Sequence, residues 1–198
     1  MRLKIVQVGE PVLRIPARPL TRDEILSPVV QQLIEHMHET MRDAPGVGLA
    51  APQIGLGIQL AVIEDRSEYH GNASKEELAE RDRRAVDFMV LANPQITYKS
   101  AETVEFFEGC LSLNGYTALV SRSTSVAVDY LDERAQPQHL EATGWFARIL
   151  QHEIDHLNGI VYIDRMEPRS FATIENIARY WKGQSIQTVR EKLGLNPL

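Results

Sequence analysis

The sequence predicts an α+β fold, with a largely antiparallel sheet in the middle of the chain and helices towards both ends. Three observations carry that reading. Helical spacing of apolar residues recurs near the N-terminus, late in the middle and near the C-terminus. Short β-type runs fill the stretch between, an order that suits segregated helices and an antiparallel sheet. A chain of 198 residues without internal repeats suits one domain, 1–198.

The elements follow in order. Thr21-Arg22-Asp23-Glu24 has the form of a capping box, and Val30, Leu33, Ile34, Met37 and Met41 then fall on one helical face. A helix over 22–42 is predicted, stopped by Pro45-Gly46. Ile58–Glu64 and Val86–Ala92 read as strands, the second closed by Asn93-Pro94. The charged stretch Asp65–Asp87 between them, with Gly71-Asn72 inside it, reads as a surface excursion carrying a short helix near Lys75–Arg83. Thr103–Phe107, Thr124–Tyr130 and, more weakly, Gln138–Ala142 are further strand candidates. A helix over 144–157 buries Trp145, Ile149, Leu150, Ile154 and Leu157 and ends at Asn158-Gly159. A last helix is predicted within 171–193.

Composition narrows the class. With 43% hydrophobic and 24% charged residues this is an ordinary globular composition, with no apolar run approaching the roughly 18 residues of a membrane span. The N-terminal residues lack the features of signal and transit peptides, so a cytoplasmic protein is expected. A net charge of −6 argues against sequence-specific nucleic-acid binding spread over the surface. The segment 165–198 differs, with six basic residues against three acidic ones; a solvated helix face is the plain explanation. The single cysteine, Cys110, can form no internal disulfide.

The densest chemical signal is Gln151-His152-Glu153-Ile154-Asp155-His156. Residues four apart share a helix face, so His152 and His156 can converge on one ion. Glu153 then stands beside the ion, free to take a proton from water and return it to a leaving group. The plain alternative is a chance pair of histidines on a solvated helix. A hydrolytic site needs a third protein ligand and an open position. No histidine occurs in 157–165, so the candidates are the downstream carboxylates Asp164, Glu167 and Glu175, or upstream Cys110 in Glu108-Gly109-Cys110-Leu111-Ser112. A thiolate suits zinc or ferrous iron, whereas a lone cysteine is more commonly a small buried hydrophobe. Gly46-Val47-Gly48-Leu49-Ala50-Ala51-Pro52-Gln53 allows close backbone approach and offers the Gln53 amide to an oxyanion, although a helix-ending turn explains it equally.

Together these three segments, at 46–53, 108–112 and 151–156, resemble the peptide deformylase family, over roughly residues 5–170. Gly144–Leu150, leading into the metal helix, is similar to the family too. The resemblance implies an α+β fold of mostly antiparallel sheets packed around a central metal-binding helix, and release of formate from N-formyl-methionyl peptides by one divalent ion, usually Fe2+, with Zn2+ or Ni2+ as substitutes. It implies Cys110, His152 and His156 as ligands, Glu153 as proton shuttle, and the Gln53 side chain with the Leu111 N–H as oxyanion donors. Gly46, Val47, Gly48 and Gly109 would bind the peptide as an added strand, and Glu108 would pair with Arg122 behind the site. Two departures stand out: Thr117 replaces an arginine of many bacterial members, and the 65–87 excursion is long. Asp155 could orient a histidine ligand or simply lie on the surface. His36, His38, His70 and His139 are assigned no role. A zinc endopeptidase, a closed structural metal site and an inactive family member are the rival readings. The basic C-terminal segment suggests docking on the ribosome, near where the substrate emerges.

Overall fold

The structure, a computed structural model, describes residues 1–71 and 74–195. Two antiparallel sheets hold one buried helix between them. The larger sheet has the order β1-β2-β3-β6-β7, from β1 (Gly48–Ala50), β2 (Leu60–Asp65), β3 (Val86–Lys99), β6 (Ser125–Leu131) and β7 (Pro137–Thr143). The smaller has the order β4-β5-β8, from β4 (Thr103–Cys110), β5 (Leu113–Ser123) and β8 (Ala172–Thr173).

Every residue of β2 is buried, because both faces of the large sheet are covered. Leu60 and Val62 join Ile34, Met37 and Met41 of helix α2 (Pro28–Asp43) on one face. Ile63, with Leu91, Val126 and Val128, packs on Ala147, Leu150 and Ile154 of helix α4 (Gly144–Leu157) on the other. Helix α4 also touches β5, so it is buried between the two sheets. It ends as predicted at Gly159, whose φ of +74° places it in the left-handed region. An added Cβ there would lie 2.8 Å from the Arg14 carbonyl carbon, so the position is closed to larger residues.

The predicted helix over 22–42 is two. Helix α1 (Arg22–Leu26) keeps its capping box, and Ser27 both ends it and caps α2, since Pro28 has no N–H to continue the ladder. The Val86–Ala92 strand does not stop at Asn93-Pro94 but runs on to Lys99 through a register shift between Ala92 and Gln95. Asn93 turns to φ +51° there, and its side-chain amide exchanges two 2.8 Å hydrogen bonds with the Leu20 backbone. Strand β5 was hidden in the sequence behind the Asn114-Gly115 turn signal. Within the excursion, helix α3 spans Lys75–Glu80, and Asn72 of the expected turn lies outside the described residues. Its base is no surface loop: Asp65 is fully buried, held by Arg83 and His70. The C-terminal helix is also broken, into α5 (Ile174–Tyr180) and α6 (Ile186–Lys192), with Gly183 at φ +73° between them. Among the described residues no helix is long and apolar enough to cross a membrane.

Candidate active site

Helix α4 presents Arg148, His152 and His156 at four-residue intervals, and the end of β4 brings Cys110 against them. The Cys110 Sγ stands 3.2 Å from Nε2 of His156, and the donor atoms of Cys110, His152 and His156 all lie within 4.8 Å of one another. Asp164, Glu167 and Glu175 do not join this cluster. The Gln53 amide (3.5 Å) and the Ser112 N–H (3.4 Å) both donate towards the sulfur. Two imidazoles and a cysteine sulfur, with no fourth protein donor among the described residues, fit one divalent ion with a position left open.

Behind the cluster lies a buried charge network. Glu108 accepts from Nε and Nη2 of Arg122 (3.0 and 2.9 Å) and from Nη1 of Arg148 (2.6 Å). Its Oε2 also takes the Nδ1 proton of His152 at 3.1 Å, which leaves Nε2 of that ring for the ion. Burial alone would raise the Glu108 pKa, but His152 and Arg122 outweigh it and hold the carboxyl well below the usual range. The expected Glu108–Arg122 pair is therefore present within a larger assembly. Asp155 is neither a surface group nor a partner of a histidine. It accepts from Arg122 and, at 2.7 and 2.8 Å, from Arg165, so it steadies Arg122 instead. Sequence reading missed Arg148, although a charged residue on the buried face of an apolar helix was the available signal. It also missed Tyr162, buried and stacked on His152 with ring centroids 6.4 Å apart.

Glu153 points the other way, into the cavity, with Oε2 unpartnered. Burial, helped by the Glu108 charge, pushes its pKa up to about 7, against the pull of His152 and Arg122. That is a value suited to accepting and returning a proton near neutrality. Its side chain rests on Gly48: a Cβ there would lie 2.2 Å from Oε1 of Glu153. Gln53 is buried, and its Oε1 is fixed by the Ala50 N–H at 2.8 Å, which leaves the amide group facing the cluster. Leu111 follows Cys110 in the β4–β5 turn, and its side chain lies so close to Gly46 that a Cβ there would come within 2.8 Å. The Val47 carbonyl accepts from the Glu64 N–H at 3.1 Å, which ties this segment to β2, while β1 remains an edge strand. Gly46, Val47, Gly48, Gln53, Gly109, Cys110, Leu111, His152 and Glu153 line one cavity of about 400 Å³, within the size range of small-ligand sites. His36, His38, His70 and His139 are absent from its lining.

An α+β fold whose buried helix sets two histidines beside a cysteine sulfur, with a buried carboxyl at the open side, frames a candidate site for one divalent ion. The polypeptide deformylase family model matches residues 2–172, and the chain belongs to that family. It is 47% identical to peptide deformylase 1A, chloroplastic, of Solanum lycopersicum, over 87% of this chain and 62% of that protein. The chain thus spans less than two thirds of that plant relative's length. Peptide deformylase 1 of Bifidobacterium longum is 44% identical over 97% of this chain and 86% of its own. Among solved structures, the class I type b peptide deformylase of Acinetobacter baumannii, bound to Met-Ala-Ser, superposes with a TM-score of 0.75. It shares 32% identity and covers 84% of this chain and 99% of that one.

Proposed function

We propose that this protein removes the formyl group from the N-terminal formyl-methionine of new polypeptides, releasing formate. The observation that carries the reading is Glu153, buried, unpartnered and raised to about 7, standing beside the Cys110/His152/His156 cluster in one cavity. Membership of the polypeptide deformylase family supports it, as does the Met-Ala-Ser held by the Acinetobacter baumannii relative, the peptide such a reaction would leave.

An ion held by Cys110, His152 and His156 would supply Lewis acidity, lowering the pKa of water and polarising the formyl carbonyl. Fe2+ is the proposed native ion, with Zn2+ or Ni2+ as substitutes that the same donors accept. Glu153 takes the proton of the attacking water at its free carboxylate oxygen. The side-chain amide of Gln53 and the backbone N–H of Leu111 donate to the carbonyl oxygen as it gains charge; losing one such donor typically costs about 100- to 1000-fold in rate. Glu153 then delivers its proton to the leaving nitrogen, so that water and the formamide become formate and a free amine. Gly46, Val47, Gly48 and Gly109 hold the peptide backbone along the edge of β1, a mode indifferent to most side chains.

The cytoplasm, or an organelle interior that makes formylated proteins, is the setting this substrate demands. The ribosome is a proposed partner through the C-terminal segment. There Arg165 and Arg190 are committed to Asp155 and Glu105, whereas Arg169, Arg179 and Lys182 make no ion pair with described residues. Exchanging Arg179 and Lys182 for glutamate should reduce co-sedimentation with ribosomes, and unchanged co-sedimentation would remove that partner. For the reaction itself, iron-loaded protein prepared without oxygen should release formate from formyl-Met-Ala-Ser and leave the peptide bonds intact. Internal cleavage without formate would favour an endopeptidase instead.

A further inference from the structure

The two oxyanion donors come from different parts of the chain, so a third part has to fix their spacing. Gln53 sits in the 3-10 turn Ala51–Ile54, and Leu111 in the turn between β4 and β5. One segment, residues 3–8, is hydrogen-bonded to both. The Val6 N–H donates to the Gln53 carbonyl at 2.9 Å, and the Val8 N–H to the Ser112 carbonyl at 2.8 Å. Between them the Gln7 side chain reaches the β4–β5 turn. Its Nε2 donates to the Leu111 carbonyl at 3.0 Å, and its Oε1 accepts from the Asn114 N–H at 3.3 Å.

The packing of the segment explains how Gln7 comes to be there. Leu3 and Ile5 lie against the apolar cluster that Leu111 also joins, whereas Val6 and Val8 pack with Cys110 and Leu113. Gln7 continues the odd-numbered series, so alternation carries its side chain to the Leu111 side. The Leu3 N–H, bonded to Thr40 Oγ1 at 2.9 Å, anchors the far end of the segment on α2.

The residue type matches what the turn presents, one acceptor and one donor. A glutamine amide carries both partners in one head, on a stem long enough to span between backbones. A carboxylate offers acceptors alone, a lysine donors alone, and an aliphatic side chain neither. Gln7 is exposed, so burial makes no demand on its type, and water could satisfy either backbone group in its place. What water cannot supply is a fixed position.

We propose that Gln7 is a positioning residue for the reaction, holding the Leu111 peptide so that its N–H meets the carbonyl oxygen as that oxygen gains charge. The inference rests on the deformylase reading, which makes Leu111 a donor. The Leu111 N–H belongs to the peptide plane between Cys110 and Leu111. On one side of that plane Cys110 is held with its sulfur 3.2 Å from Nε2 of His156, and on the other Gln7 holds the Leu111 carbonyl. Such a donor works by being in place before the charge develops, so loosening it weakens transition-state binding more than substrate binding.

The test measures kcat and KM for formyl-Met-Ala-Ser in the metal-loaded parent, Gln7→Met and Gln7→Leu, at equal metal content. Beside them stands the Kd of Met-Ala-Ser, which has no formyl carbonyl to meet the donor. Both variants should lose about three- to tenfold in kcat, the range of one hydrogen bond. KM and the Kd of Met-Ala-Ser should stay within about twofold of the parent, and the thermal midpoints should match. An unchanged kcat in both variants would overturn the assignment. A matching loss of Met-Ala-Ser binding would overturn it as well, by showing a loosened cavity instead of a displaced donor. So would a collapsed thermal midpoint, which would make Gln7 a residue of the fold. Absence of formate from the metal-replete parent would instead overturn the deformylase reading on which the assignment rests.

Discussion

Substituting Gly48 by alanine should abolish most activity while leaving the fold and the metal site intact. Gly48 has no left-handed backbone to protect, and alanine in a strand is ordinarily tolerated. What it lacks is room. The added Cβ would lie 2.2 Å from Oε1, 2.5 Å from Cδ and 2.8 Å from Cγ of Glu153. All three distances are shorter than real carbon contacts, and all three atoms belong to one flexible side chain. The cheapest relief is rotation of Glu153 out of its place, which costs the fold little and the reaction its proton carrier. Loss of a positioned general acid/base typically costs about 100- to 10,000-fold, or about 2.7–5.4 kcal/mol in the barrier. The assay is formate release by metal-loaded Gly48→Ala, with metal content and thermal midpoint measured on the same preparation. A double-variant cycle sharpens it, because Gly48→Ala added to Glu153→Ala should cost almost nothing further. Retention of more than about a tenth of parental activity, or full additivity in the cycle, would refute the reasoning.

Two other consequences concern the charge networks. Arg148 ties Glu108 to the Val120 and Val104 carbonyls (2.9 and 2.6 Å), and so fixes the carboxylate that orients His152. Arg148→Met should weaken metal binding by about 10- to 100-fold in chelator competition; a purely electrostatic role predicts the opposite, since a cation near a dication has been removed. Outside the cavity lining, Arg42, with help from His38, holds Glu64 down to about 2 against the effect of its burial. A carboxylate with a lowered folded pKa stabilises fully above its unfolded value of about 4.3, and that stability is lost as pH falls towards about 2. Arg42→Met should therefore lower the urea midpoint at pH 7 and converge on the parent in acid, and a gap that stays constant with pH would contradict this.

Much of this was legible in the residues, for identifiable reasons. Helix 144–157 was readable to the residue because a periodic apolar face, paired histidines and a Gly stop all agree. A candidate site was readable because ligand chemistry restricts residue type: the spacing of His152, Glu153 and His156 marks it, whereas Cys110 was one of several candidates for a third ligand until the resemblance singled it out, and the fold brings its sulfur to the two imidazoles. Strand β5 was not, since Asn114-Gly115 reads as a turn and its alternation is blurred by burial on both faces. The break at Ser27-Pro28 was visible, but the apolar stripe running through it suggested one helix. Asp65 and Asp155 were taken for surface groups or left open because nothing local marks a buried carboxylate. Their partners, Arg83 for one and Arg122 and Arg165 for the other, are brought to them only by the fold. The same holds for Phe171, whose stacking on Tyr116 spans 55 positions of chain.

The most direct test of the central claim is formate release from formyl-Met-Ala-Ser by the parent and by Glu153→Gln, at equal, measured metal content. The account predicts stoichiometric formate from the parent and a loss of at least about 100-fold in kcat for a variant that still holds its ion. A metal-replete parent that releases no formate, or a Glu153→Gln variant that releases it at the parental rate, would contradict it.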